Sequence, residues 1–404
     1  MMMDAQQSTT QDARIAGAHR EDLKRRAQAA AEVARTHAAD VDRSARFPRE
    51  AFDEIRKQRL LGILMARSLG GEEATVAQVA DVCYTLGQAC ASTALIYAMH
   101  QVKVACIARH TQGVASLERI LRRVSAEQLL LASSTTEGQA GGNVRSSEAA
   151  IEHAGDQVTL ERKATVISYA LAADGIVTTA RRAADAAGAD QVLLVLLKAD
   201  YSLERLQGWD TLGMRGTDSE GFTLRAKAAA DQVMPEPYER IHSRTIVPHA
   251  HLLWGSVWAG IAAAAAGKAQ ALIRHSMRQS GGQVPPGAAH FTQAVSSLRM
   301  LRGVLAAALD SYQAAMNDDK TLASLEFQSM ITLTKVQASE LALAIVMSSM
   351  RACGLSGFRN DTEFSIGRHL RDVLSAPLMI NNDRILANLA TTSLMTPLPS
   401  GVGG

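Results

Sequence analysis

The stretch WDTLGMRGTDSEGF, residues 209–222, decides how this 404-residue chain is read. Its glycines and small polar residues predict a strand and turn around Gly213 and Gly216, a scaffold element rather than a reactive one. Upstream lie short runs of β type. AAIEH (149–153) and QVTLE (157–161) flank a Gly155-Asp156 turn, TVIS (165–168) follows, and QVLLVLL (191–197) comes last. Turn signals at that spacing predict a compact β domain, with Pro235 and Pro237 punctuating its exit.

Outward from this region the pattern becomes helical on both sides. From Ala13 to Arg109, Val76, Val79, Cys83, Leu86 and Cys90 recur at the three-and-four spacing of one buried face. A Gly70-Gly71 break precedes that helix, with Glu72 and Glu73 near its start, where negative charge suits the dipole. Residues 250 to 350 are Ala- and Leu-rich helices broken at QSGGQVPPGAA. The expected architecture is mainly α with an inserted β domain: an N-terminal helical domain (13–128), a middle β-barrel-like domain (129–236) and a C-terminal four-helix bundle (237–396).

A single core stops growing at roughly 250 to 300 residues, so this length at 47% apolar content implies two or three packed units. A net charge of +2 without like-charge blocks argues against nucleic acid as a partner. Cys83, Cys90, Cys106 and Cys353 have no Cys-x-x-Cys spacing and read as core residues, and no metal ligands are assigned. The opening MMMDAQQSTTQD has no basic and apolar leader pattern, which makes the cytoplasm the expected compartment and disorder the expected state of that segment. LLWGSVWAGIAAAAAG falls short of the roughly 20 residues of a span and reads as a buried helix.

The domain order, with 209–222 as its most specific motif, resembles the acyl-CoA dehydrogenase superfamily. TTEGQAGGN, 135–143, resembles that family's Thr-Glu-Pro-Gly-Ala-Gly-Ser-Asp loop, which implies FAD held by Thr136, Gly141 and Gly142. Glycines there let backbone N–H groups approach an oxygen-rich ligand, and the Thr136 hydroxyl can meet the flavin edge. Gly142 stands in place of the family's serine and Asn143 in place of its aspartate. KATVISYALAADG, 163–175, lies where the family has its flavin-flanking strand, with Thr165 in the tryptophan's place and Ser168 beside the threonine's. Arg278 of MRQSGG and Gln293 match residues that touch the FAD of a neighbouring subunit in the family. They imply a homodimer or homotetramer with shared sites, although Gly281 replaces the phenylalanine and a solvated helix-end cation is the other reading of Arg278.

CGLSGF, 353–358, resembles the family's Gly-Gly-x-Gly-Tyr turn, and Arg371-Asp372 its Arg-Asp pair. Counting on from that pair, the position of the proton-abstracting glutamate holds Ile380. The alternative base position, around 255–260, holds Val257 and Trp258. Asp383 is the nearest carboxylate and the candidate substitute base, with helix capping or cofactor contact as competing roles. Ile380, Trp258 and His100 are the candidate substrate contacts, a satisfied structural histidine being the alternative for His100.

The resemblance implies an FAD-dependent dehydrogenase of an acyl thioester, carried by coenzyme A or a carrier protein, with a relocated base and an electron-accepting flavoprotein. Two alternatives stay open. A two-component monooxygenase of the same fold, served by a reductase, needs no α-proton base. A catalytically silent flavin- or acyl-binding subunit also accommodates the altered positions.

Overall fold

A computed structural model describes residues 2–137 and 144–395. The chain opens with α1 (Met2–Ser44), α2 (Arg49–Lys57), α3 (Val76–Gly87), α4 (Ala91–His110) and α5 (Ala115–Glu127). Helix α1 includes the opening segment that composition marks as disordered. The first 16 residues contain no proline or glycine, so nothing in them breaks the helix.

In α3 the predicted face is buried at Val76, Val79, Cys83 and Leu86, while Cys90 lies beyond its end and precedes α4. Thr75 caps α3 through a capping box with Gln78, and Glu72 instead forms an ion pair with Arg26 at 2.6 Å. Helix α4 is buried almost all round, which marks it as the central helix of the fold.

The β region has two sheets. The first has the order β1 (Leu131–Ser134), β4 (Gly175–Arg181), β5 (Gln191–Leu197), with β1 and β4 parallel. The second has the order β2 (Glu152–Ala154), β3 (Gln157–Ile167), β7 (Glu220–Ala229), β6 (Tyr201–Gln207), all antiparallel. TVI (165–167) therefore belongs to the same strand as QVTLE, with Ser168 just past its end. Isolated bridges Glu137↔Ala164 and Ala150↔Arg181 tie the sheets together. Along β3, Val158, Leu160, Arg162 and Ala164 are the buried set of a period-2 pattern, so Arg162 occupies a core position. The quoted stretch forms a loop and one short 3-10 turn, Arg215–Thr217, leading into β7.

After α6 (Tyr238–Ile241) one π turn, His242–Ile246, leads into α7 (Val247–Gln279). Then follow α8 (Ala288–Ala315), α9 (Asp319–Ala323), α10 (Leu325–Phe358), α11 (Gly367–Val373) and α12 (Asn382–Met395). Helix α7 approaches α3 backbone to backbone: a Cβ on Gly260 would sit 2.3 Å from the Tyr84 carbonyl oxygen. The apolar window of α7 is 78% buried within the protein, that of α10 only 44%. Met347, Leu355 and Phe358 are exposed on α10. The CGLSGF segment lies inside α10, where Gly354, at φ +54°, interrupts the helical geometry.

Candidate functional site

The glycine-rich segment begins where β1 ends. Its Gly141 and Gly142 lie outside the described residues, but its entry is defined. Thr136 is half-buried, and the next residue, Glu137, pairs with Ala164, which brings Thr136 against the end of β3. The Glu137 carboxylate accepts from the backbone N–H groups of Glu148 (2.5 Å) and Ala149 (3.3 Å) and lies 3.3 Å from the Arg162 guanidinium. Both ends of the loop are thereby tied to one buried ion pair.

Ser168 follows β3 and is half-buried. Ser219 Oγ donates to Ser168 Oγ at 2.8 Å and lies 2.8 Å from Thr217 Oγ1. This hydroxyl chain links the 209–222 stretch to the candidate flavin strand. Ser134, at the end of β1, is fully buried and its hydroxyl has no hydrogen-bond partner.

Around the expected base position the structure assembles residues that spacing alone does not join. Ile380 is 44% exposed and has φ +48°, a left-handed conformation that a β-branched residue rarely adopts. Beneath it sits Lys335 of α10, fully buried, whose ammonium donates to the Ile380 carbonyl (3.0 Å) and to Asn382 Oδ1 (2.7 Å). The same nitrogen lies 5.6 Å from the Trp258 ring centroid. Burial pushes the Lys335 amine down to about 8. Asn382 completes the group by donating to Ser339 Oγ (3.0 Å) and Glu340 Oε1 (2.7 Å). Trp258 and Val257 are fully buried, and the Trp258 indole N–H has no partner.

Asp383 is exposed in the first turn of α12. The side chain that accepts from its N–H is that of Asn381, at 2.8 Å, so Asn381 rather than Asp383 caps the helix. Asp383 faces solvent and contributes no group to the Lys335 cluster. His100 is fully buried and spends both ring nitrogens on the backbone: Nε2 is 2.8 Å from the Leu61 carbonyl oxygen, and Nδ1 accepts from the Leu131 N–H at 3.0 Å. Its expected contact with substrate gives way to a tether between α4 and β1, and burial pushes the ring down to about 4.

Arg278 and Gln293 are exposed on either side of the turn between α7 and α8. No hydrogen bond or ion pair among the described residues joins them to the β region. All four cysteines are buried and unpaired. Sequence reasoning missed Lys335, though a signal existed: it is the only Lys or Arg between Lys320 and Arg351, in an apolar helix.

Residues 18–115 match the family described as Acyl-CoA dehydrogenase, N-terminal domain. The chain is 26% identical over 368 residues to cyclohex-1-ene-1-carbonyl-CoA dehydrogenase of Geobacter metallireducens, covering 89% of this chain and 93% of that protein. The butyryl-CoA dehydrogenase of Megasphaera elsdenii superposes with a TM-score of 0.77 at 17% identity, over 93% of this chain and 98% of that one. The FMN-bound structure of TdsC from Paenibacillus sp. A11-2, a dibenzothiophene monooxygenase, superposes with a TM-score of 0.82 at 18% identity, over 94% and 98%. The fold is that of the acyl-CoA dehydrogenases, with N-terminal helical, middle β and C-terminal helical regions. The chain is thus similar to acyl-CoA dehydrogenases in fold over most of its length and in sequence over its N-terminal helical region.

Proposed function

We propose that this protein is a flavin-dependent oxidoreductase that works without a proton-abstracting carboxylate, as a reductase-served monooxygenase. The observation that supports the reading is the Lys335 ammonium on the carbonyl of Ile380, the residue that the family resemblance puts in the base's place, while Asp383 faces solvent. Removing a substrate α-proton requires a basic group, and the Lys335 amine, which donates to the Ile380 carbonyl and Asn382 Oδ1, presents no lone pair for it. Oxygen transfer makes no such demand. TdsC, a monooxygenase with the same fold, is crystallised with FMN, which supports FMN beside FAD as the cofactor to test.

When bound, the flavin would supply electron transfer and oxygen activation. Thr136, Ser168 and the glycine-rich segment would hold it, with Trp258 and Ile380 closing the substrate side. Lys335 holds its proton between the Ile380 carbonyl and Asn382, and so fixes the backbone of the 380–382 segment. Pairing of two chains would bring Arg278 and Gln293 to a neighbour's cofactor if the arrangement that the family resemblance implies holds, and both residues are exposed. The similarity to cyclohex-1-ene-1-carbonyl-CoA dehydrogenase supports a second reading, oxidation of an acyl thioester.

Anaerobic titration separates the two. The protein loaded with FMN or FAD is mixed with acyl-CoA and carrier-bound thioesters, and flavin absorbance is followed. The monooxygenase reading expects no bleaching by any thioester and oxygen consumption only with a reductase. Bleaching by a thioester in the absence of a reductase overturns it.

A further inference from the structure

The last residue of α4 stands where segments far apart in the chain meet. His110 Nδ1 lies 2.9 Å from Glu236 Oε2, at the exit of the β region, and Nε2 lies 2.8 Å from Thr245 Oγ1, inside the π turn. All three residues are buried, Thr245 completely. Although burial works against it, Gln112, His110 and Arg240 hold the Glu236 carboxylate below its ordinary range, so it is ionised and can only accept. Nδ1 therefore carries the proton, and the bare Nε2 accepts from the Thr245 hydroxyl. Threonine, histidine and glutamate in this order resemble a nucleophilic triad, but a fully buried hydroxyl inside a helix has no approach for a substrate.

In a regular helix a threonine hydroxyl turns back to the carbonyl four residues earlier, here that of Ile241. Thr245 gives its hydroxyl to His110 instead, and the helix is wide at this point. From the other side His249 Nδ1 donates to the Thr245 carbonyl at 2.9 Å and lies 3.1 Å from the Tyr312 hydroxyl, so α7 and α8 also pin the turn. Burial keeps both His249 and Tyr312 neutral. Glu236 keeps partners without His110: Gln112 donates to Oε1 at 2.8 Å, and Arg240 Nε of α6 lies 2.9 Å from Oε2. Arg240 and Arg244 of the π turn share Asp319 of α9. Burial pushes the His110 ring below its ordinary range; Glu236 opposes this, and Arg109 and Arg240 add to it.

We propose that His110 is a proton-operated latch on the π turn, closed while the ring is neutral and open once it is protonated. A proton taken from solvent onto Nε2 turns that nitrogen from acceptor into donor. The Thr245 hydroxyl must then find another acceptor, and the Ile241 carbonyl is the one an ordinary helical turn offers. The turn thereby loses the bond that holds it wide. Since it joins the β region to α7, the helix that carries Trp258, the latch governs how firmly α7 is seated. The device needs no flavin and no substrate, so it stands apart from the reaction proposed above.

The test follows the full chain from about pH 7.5 down to the onset of acid unfolding, by amide hydrogen exchange and by NMR of protein carrying ¹⁵N-histidine. The His110 signal, assigned by its loss in His110→Gln, should show the Nδ1–H tautomer at neutral pH. As the ring takes up its proton, the amides of residues 242–249, corrected for intrinsic exchange, should lose protection about fivefold or more, while those of α8 keep theirs. Thr245→Val keeps the side-chain shape without the hydroxyl; it should show the weakened protection already at neutral pH and no further loss in acid. Thr245→Ser should respond as the wild type does. The latch is overturned by an Nε2–H tautomer, by a Thr245→Val variant that responds to acid like the wild type, or by turn protection that holds until the whole chain unfolds. That last observation is made on the wild type and decides the matter even where a variant fails to fold.

Discussion

The Lys335 ammonium donates a hydrogen bond to the carbonyl oxygen of Ile380 at 3.0 Å. One bond thereby joins the middle of α10 to the segment between α11 and α12. It also holds Ile380 in a left-handed conformation at φ +48°, of a kind that typically costs about 1 to 3 kcal/mol.

Ile380→Glu tests what this position does. A carboxylate introduced above the Lys335 ammonium is stabilised in its charged form, and the 44% exposure of the site limits the opposing effect of burial. The variant should therefore be ionised at neutral pH. Thioester-dependent flavin reduction should stay absent and reductase-dependent oxygen use should fall. A gain of the roughly 10²- to 10⁴-fold typical of a general base, seen in anaerobic reduction by acyl-CoA, would instead identify a latent dehydrogenase.

Lys335 should leave a signature in the pH dependence of stability. Its folded value of about 8 lies below the ordinary 10.5, so between those values the unfolded chain binds more protons and stability rises with pH. The stabilisation is complete above about 10.5 and is lost as pH falls through about 8. Lys335→Met should flatten denaturant-derived stability across that window. Parallel profiles for variant and wild type would contradict the assignment.

Asp372 has the opposite sign. Its carboxylate, 5% exposed, accepts from the Met214 N–H at 2.7 Å, and burial raises it to about 6 against the pull of Arg368 and Arg371. Between the ordinary 3.8 and about 6 the folded state binds more protons, so stability falls as pH rises, by about 3 kcal/mol in all. Asp372→Asn keeps an acceptor for Met214 and removes this loss. Calorimetry should show the variant gaining on wild type between about pH 4 and pH 7, and a constant difference would refute the attribution.

Gly213 packs directly beneath the same pair. A Cβ there would stand 2.0 Å from the Arg371 carbonyl oxygen, a backbone atom that no side-chain rotation clears. Gly213→Ala should destabilise the protein by about 2 kcal/mol or more by forcing the 209–222 loop off α11. Unchanged unfolding in urea would show that the loop yields freely.

Arg278 forms no ion pair among the described residues and is exposed, so its removal should not affect the folding of one chain. If it reaches a neighbour's cofactor, Arg278→Ala should raise the flavin dissociation constant about tenfold, equivalent to one charge-assisted hydrogen bond, while Tm of the flavin-free protein stays constant. Equal flavin retention in variant and wild type, measured by calorimetric titration, would exclude the shared site.

Local pattern alone determined the order of helical, β and helical regions, because periodicities of 3.6 and 2 and the Gly and Pro breaks are written along the chain. It also marked the glycine-rich segment and the Ile380 position as candidates, since both lie at fixed spacings from recognisable neighbours. The roles of His100 and Asp383 were decided only in three dimensions. A histidine on an apolar helix carries no record of the Leu61 carbonyl and Leu131 N–H that occupy its nitrogens, and Asp383 had to be seen beside Asn381 to be recognised as a solvent-facing first-turn residue. Lys335 and Ile380 are 45 residues apart. Charge acts through space, so whether a lysine is solvated, paired or stranded in the core depends on which distant segments the packing of α4, α7 and α10 brings against it.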